Sequence, residues 1–466
     1  MVFAGVEFLF YYLPIVMLVY FISPKKFKNL ILFVSGLIFY AWGEPLYVCV
    51  LLLSTLIDYF AGIIMDKTDS TAKRRACLIV SVVMNLGLLF VFKYSSFFIN
   101  TVNSVFGTSI PDPGLPLPIG ISFFTFQTMS YTIDRYRNKV EVQRNFINFG
   151  AFVTCFPQIV AGPIVKYSDI AKELDLRSVG TSDLSDGISI FMCGLSKKVL
   201  LANSIGDVWA QIKACDYSTL PAATAWLGII AFTFQIYFDF SGYSDMAIGL
   251  GRMLGFHFPK NFDYPYLSKS VSEFWRRWHM TLGSWFKDYV YFPLGGSRGT
   301  KAQTVRNLLI VWFLTGLWHG ASFNFVLWGL WFGVLIVIEH LGFSKILAKL
   351  PAAVSWLYTM LAVVLGWVLF ETDSLGSAWA YLGAMFGAGG AFADSQFTAW
   401  LSECALILAI CIFFAFGAGR EYLAKLGGSD SKALMVVKPL VTGALLIACT
   451  AYIVNGGYNP FLYFNF

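Results

Sequence analysis

Apolar residues recur along this chain in runs of roughly 20, the length that crosses a bilayer as a helix. Runs lie near 8–22, 29–43, 46–65, 77–99, 116–133, 147–165, 186–205, 221–254, 307–340, 352–370, 398–418 and 436–455. Each predicts a membrane helix, and several are irregular. The run at 116–133 opens with Pro116 and Pro118 and carries Gly120 and Gln127. The run at 147–165 holds Pro157, Gln158, Gly162 and Pro163. The run at 307–340 is too long for one simple span and contains Gly316, His319, Gly320, Ser322 and Asn324. Broken or re-entrant helices survive in a membrane only where protein or an aqueous cavity satisfies the freed backbone groups. These breaks predict an interior cavity or tunnel.

The stretch 256–306 departs from this pattern. Its residues Ser272–Phe286 predict an amphipathic helix at the membrane surface, with Trp275, Trp278, Leu282, Trp285 and Phe286 on one face and His279 beside it. Ser272, with Glu273 next to it, is the expected start.

Composition agrees with a lipid-facing surface. Hydrophobic residues make up 57% and charged residues 13% of the 466, with a mean hydropathy of +0.67. A soluble domain carries about 25% charge. The reading is one all-α, polytopic integral membrane domain over residues 1–466. The net charge of +6 sits in short clusters between apolar runs, as in topogenic loops, so nucleic acid is not an expected partner. The eight cysteines show no zinc or CxxC spacing, and Cys49, Cys77, Cys155, Cys193, Cys411 and Cys449, within or at the ends of apolar runs, read as packing residues. No Lys or Arg precedes the first run, so it is expected to be a retained span rather than a cleaved signal.

Charge also sets orientation. Lys25, Lys26 and Lys28, then Lys73, Arg74 and Arg75, mark cytoplasmic loops, and Arg135, Arg137, Lys139 and Arg144 mark another. Residues 371–397 carry only acidic charge and read as external, whereas Arg420, Lys425, Lys432 and Lys438 read as cytoplasmic. Both termini are therefore expected outside. The segment 256–306 is expected on the cytoplasmic side.

The candidate chemistry centres on His319, the one titratable side chain between Asn307 and Ile338. An ionisable group in a span costs several kcal/mol on order-of-magnitude scales and marks a functional site by default. A packing histidine is the equal alternative. For His279, comfort at a membrane surface outweighs a catalytic role by its position alone. Gln235, Asp239 and Asp245 predict an internal network that fixes helix packing, with an ion path as the rival. Gly295-Gly296-Ser297-Arg298-Gly299 matches a nucleophile pattern, but no acid-then-histidine order follows it beyond Glu339-His340, so a Gly-rich turn is expected. No P-loop or dinucleotide fingerprint occurs, and His257, His279, His319 and His340 have no metal-binding spacing.

Three motifs together, Phe274-Trp275-Arg276-Arg277-Trp278-His279, Tyr291-Phe292-Pro293-Leu294-Gly295-Gly296 and Gly316-Leu317-Trp318-His319-Gly320, resemble the membrane-bound O-acyltransferase family. The segments Phe238–Asp245 and Pro460–Phe466 resemble its bacterial, alginate O-acetyltransferase-like branch, whose relatives act on peptidoglycan or in D-alanyl transfer to teichoic acid. The resemblance implies a multi-helix bundle around a funnel or tunnel. It implies an acyl group, in this branch acetyl, taken from a cytoplasmic thioester such as acetyl-CoA and passed outward, often to an extracellular or periplasmic acyltransferase partner that modifies a polysaccharide. No resident cofactor or metal is implied. His319 matches the family's intramembrane histidine and His279 the second histidine of the bacterial branch. Arg276, Arg277, Lys287 and Arg298 suit an anionic donor. The expected setting is the bacterial plasma membrane. A transporter or channel for an acyl donor or polymer precursor is the alternative of a different class, and a scaffold for an external partner is a third.

Overall fold

The computed structural model describes residues 1–160, 162–418, 432–456 and 461–462. These residues are helical, with turns between and no strand among them. Among the described residues eight helices are long and apolar enough to cross a membrane: Val48–Asp66, Thr71–Phe106, Thr181–Lys213, Ala222–Met253, Phe323–Leu347, Ala352–Glu371, Ser395–Ala415 and Val437–Gly456. The predicted runs at 8–22 and 29–43 appear as the shorter helices Phe8–Ile22 and Lys28–Gly43.

The irregular runs break where their sequence requires. Residues 116–120 are extended or turn, and Ile121–Tyr136 forms the helix after Gly120, which takes a left-handed φ of 76°. The 147–165 run becomes the two short helices Phe146–Val153 and Phe156–Ile159, with Pro157 at the first turn of the second. The 307–340 run becomes the two helices Lys301–His319 and Phe323–Ile338.

The chain forms two compact units, Met1–Phe191 with Ser244–Lys260, and Met192–Tyr243 with Asn261–Phe466. In the first, Val48–Asp66, Thr71–Leu89 and Ile121–Tyr136 pack around buried polar side chains. Asp58 accepts hydrogen bonds from Ser81 Oγ, from Thr132 Oγ1 at 2.6 Å and from Asn85 Nδ2 at 2.8 Å. Ser54 Oγ donates to Asn85 Oδ1 at 2.6 Å. A carboxyl group inside a span survives only if its oxygens are occupied, and this network occupies both.

In the second unit, Asp239 pairs with Lys198 at 2.5 Å, both side chains nearly inaccessible, and its second oxygen accepts the Leu462 N–H at 2.9 Å. Phe461 packs on Phe240 and Tyr243, with ring centres 4.9 and 4.6 Å apart. Two stretches of the branch resemblance, some 220 residues apart, therefore meet here. For Asp239 the packing network is the structural outcome. Pro460 and residues 463–466 lie outside the described residues, as do Arg420 and Lys425.

Candidate active site

The helix Lys301–His319 starts at a reciprocal cap, with Gln303 N–H donating to Thr300 Oγ1 and Thr300 N–H to Gln303 Oε1. It ends at His319 because Gly320 is extended and the chain turns back into Phe323–Ile338. The two helices approach backbone to backbone. A Cβ on Gly316 would collide with the Phe325 carbonyl, and one on Gly329 with the Trp312 carbonyl. This close seam places the His319 ring, 3% exposed, among Trp328, Trp318 and Phe370, with ring centres 4.8, 5.0 and 5.6 Å away.

The expected continuous helix over Ser272–Phe286 is not formed. The chain makes Val271–Arg277, breaks at Trp278-His279, and resumes as Met280–Phe286. Ser270, not Ser272, caps the first piece by accepting the Glu273 N–H at 3.0 Å. Its first amides are gripped from another element: the buried Glu339 accepts Val271 N–H at 2.7 Å and Ser272 N–H at 2.9 Å. A carboxylate at a helix N-terminus is favoured by the backbone dipole as well as by the hydrogen bonds.

The break is at His279, with φ 45° and ψ 50° in the left-handed region. Such backbone at a non-glycine residue costs about 1 kcal/mol or more and needs bracing. Asn261 supplies the brace: its carbonyl accepts Met280 N–H at 2.9 Å, and its Oδ1 accepts Thr281 N–H at 3.2 Å and Thr281 Oγ1–H at 2.9 Å. The surface-helix expectation is corrected by the same geometry. Trp278, Leu282, Trp285 and Phe286 are buried in protein, and so is His279. Trp278 stacks against Phe262, Trp367 and Phe274 at 5.0–5.5 Å, contacts a lipid surface does not offer.

The break turns His279 toward His319. Their ring centres lie 6.4 Å apart at 73°. Two residues 40 positions apart in sequence therefore share one buried, aromatic-walled site.

A cavity of about 550 Å³ reaches this site. Its inner lining includes His279, Trp278 and Thr315, and its exposed end includes Arg276 and Lys287. His319 is not among the lining residues; its ring centre lies 6.4 Å from that of His279, which is. Of the four basic residues expected near a donor, Arg276 and Lys287 line the cavity. Arg277 is used structurally, paired with Glu273 at 3.0 Å and Asp263 at 3.6 Å. Arg298 is exposed on the glycine turn, away from the lining. That turn, with Gly295 and Gly296 at φ 103° and 58°, is pinned by Asn307 Nδ2 to the carbonyls of Leu294 and Gly296. Ser297 shares a hydrogen bond with Tyr291 at 2.6 Å on the exposed side, so it has no nucleophile elbow around it. Among the described residues no group of histidine, cysteine, aspartate and glutamate is arranged to hold a metal.

Burial pushes the His279 imidazole down to about 3. The unfolded imidazole titrates near 6.5. Above pH 6.5 both states are neutral. Between 6.5 and 3 the unfolded chain binds a proton that the folded one refuses, so stability falls as pH falls, by up to about 1.4 kcal/mol per pH unit. H279Q should therefore lose stability less steeply than the parent between pH 6.5 and 4.5, measured by thermal unfolding in detergent. Parallel curves would mean that the ring is solvated.

A family model described as the membrane-bound O-acyltransferase family matches residues 35–370, which include both histidines, the cavity and the break at Trp278-His279. The chain belongs to the membrane-bound O-acyltransferase family. It is similar over its whole length to a protein of Azotobacter vinelandii named a probable alginate O-acetylase, at 35% identity with 100% of each chain covered. A peptidoglycan O-acetyltransferase of Helicobacter pylori is 34% identical over 82% of this chain and 79% of its own. A teichoic acid D-alanyltransferase of Bacillus subtilis is 28% identical over 47% and 58%. The protein is thus a multi-pass, all-α membrane O-acyltransferase of the alginate-like kind.

Sequence reasoning missed three residues at this site. No motif singles out Asn261 or Thr281, and Glu339 figures only as an acid unsuited to a triad. None has a local pattern, because each acts on a partner far along the chain or across a helix break. The only signal was cost: an acidic residue inside a long apolar stretch, as at Glu339, needs a partner.

Proposed function

We propose that this enzyme takes an acetyl group from a cytoplasmic thioester, acetyl-CoA or a related donor, and passes it across the bacterial plasma membrane for O-acetylation of an extracellular or cell-wall polysaccharide. The observation that carries the reading is His279 in the lining of a cavity whose exposed end carries Arg276 and Lys287, with the buried His319 ring 6.4 Å from it. An anionic donor is attracted at the cationic end, and its thioester reaches the dry end, where hydrolysis is suppressed. Full-length similarity to a probable alginate O-acetylase favours acetyl over D-alanyl, for which the similarity covers about half of the chain.

In this reading His319 is the base or acyl relay and His279 positions the donor. As a base, His319 withdraws the proton of the acceptor hydroxyl while its oxygen forms the new bond to the acyl carbon. The carbon–sulfur bond breaks, and the proton leaves with the sulfur as free thiol. The positive-inside pattern supports a cytoplasmic side for the cavity's cationic end and an external side for both termini. An external acyltransferase partner then carries the group onto the polymer.

The test is transfer of labelled acetyl by purified protein in sealed vesicles, supplied with thioester on the basic side and polymer with partner on the other. A new oxygen ester is expected. Label that crosses without forming an ester would replace transfer by transport. In the same assay R276A and K287A should raise the KM for donor about 10-fold each, the weight of one charge-assisted contact. R277A, which breaks a pair with Glu273, should leave that KM unchanged and lower thermal stability instead.

A further inference from the structure

We infer that Asn261 is a positioning residue that locks His279 in a single tautomer, with the proton on Nδ1 and a bare lone pair on Nε2. The inference rests on the acyl-transfer reading for its purpose but not for its geometry.

One donor at this site has an identity beyond choice. A backbone N–H can only donate. Thr281 N–H points at the terminal atom of the Asn261 side chain, 3.2 Å away, so that atom is the amide oxygen and not the nitrogen. Thr281 Oγ1 lies 2.9 Å from the same atom and donates to it. His279 Nδ1 lies 3.2 Å from that oxygen too. An oxygen already fixed as acceptor can bond an imidazole nitrogen only if the nitrogen carries the hydrogen. In a neutral imidazole, Nε2 then has the lone pair. Burial keeps the ring neutral, so the second proton that would erase the distinction is absent.

Asn261 holds the ring and the backbone with one residue. Its main-chain carbonyl takes Met280 N–H at 2.9 Å, which supports the left-handed turn at His279. Among the described residues Nε2 has no hydrogen-bond partner, and His279 lines the cavity. Asn261 and His279 are each 3% exposed, so water competes little for these bonds. His279 is thereby an acceptor and never a donor toward the cavity. It can take a hydrogen bond or a proton from a group that arrives there, such as an amide N–H or thiol of the donor or a hydroxyl of the acceptor. The opposite tautomer would present N–H, which can donate to a hydroxyl but cannot accept a hydrogen bond or a proton from any of them.

The direct test is the nitrogen NMR spectrum of protein labelled with ¹⁵N in its four histidines, with His279 assigned by its loss in H279Q. A protonated Nδ1 and a bare Nε2 are expected for His279 at neutral pH, with a mixed or reversed pattern in N261L. A parent spectrum with Nε2 protonated would overturn the inference, whatever the protein's activity. That separates it from the functional reading, which the ester assay decides alone.

Kinetics give a second readout that a merely structural residue would not move. N261D keeps the acceptor oxygen but adds a charge, which favours the imidazolium. It should retain most activity at high pH and shift the acid limb of kcat/KM upward by about one unit or more. N261L should lower kcat/KM for the donor about 100-fold. An N261D profile that superimposes on the parent, in protein that melts at the parent temperature, would remove the positioning role.

Discussion

H319Q protein should insert, fold and bind donor, and transfer acetyl at less than about one-thousandth of the parent rate, which lies within the 10²–10⁴ range for loss of a positioned acid–base group. Glutamine is chosen over alanine because the His319 ring fills a space between Trp328, Trp318 and Phe370. Alanine would leave a hole there and cost about 2–5 kcal/mol as other large-to-small core changes do, so that a lost activity would report packing as well as chemistry. Glutamine keeps most of the volume and a polar end but cannot relay a proton. The measurement is ester formation in sealed vesicles beside a thermal melt of the same preparation. An inactive protein with a parental melt is the expected pair of results. Retained transfer in H319Q would sink His319 as base or relay, and the His279 side of the site would then have to do the chemistry alone.

The largest loss of stability is expected from G316V. A Cβ at Gly316 would meet the Phe325 carbonyl and lie 3.3 Å from Gly329 Cα, backbone that cannot swing aside as a side-chain end can. The two helices must separate, and the Trp312–Phe332 contact (ring centres 6.0 Å apart) and the aromatic wall of His319 separate with them. Overpacking alone costs about 1–3 kcal/mol, and the displaced seam adds to it. G316V should fail to give a monodisperse peak in size-exclusion chromatography, or melt many degrees early. G87A is the matched control. Gly87 lies in the helix Thr71–Leu89 with nothing within 4 Å of its would-be Cβ, so alanine there should be neutral or stabilising by about 0.5–1 kcal/mol. Equal melting of G316V and the parent would show that the seam is open to repacking.

Much of the architecture was legible because lipid punishes irregularity. Apolar runs marked helices, and the breaks at Gly120, Pro157 and Gly320 fell where a span could not continue. The histidines were legible for the same reason, through cost and motif. The helix break at His279 was not. Local periodicity favours one amphipathic helix across Ser272–Phe286, and the residue that ends it, Asn261, acts from 18 positions earlier through its side chain and carbonyl. A tertiary hydrogen bond overrode a local preference, and no pattern within the segment announces it. Arg277 was misassigned on similar grounds. A basic residue beside an exposed cavity looks free in the sequence until Glu273 and Asp263 are seen to hold it. Asp58 escaped notice because its partners come from two other helices, Thr71–Leu89 and Ile121–Tyr136.

The grip of Glu339 on the first amides of Val271–Arg277 makes a mechanical connection. From His319 the chain runs through the turn at Gly320 and along Phe323–Ile338 to Glu339, crosses by two hydrogen bonds to Val271 and Ser272, and follows a short helix to His279. The two imidazoles are the jaws of a caliper whose arms are helices and whose hinge end is clasped by a carboxylate. Their gap is therefore braced at a point remote from both rings as well as at Asn261, and a ligand that tugs on Arg276 pulls on an arm already anchored at its base.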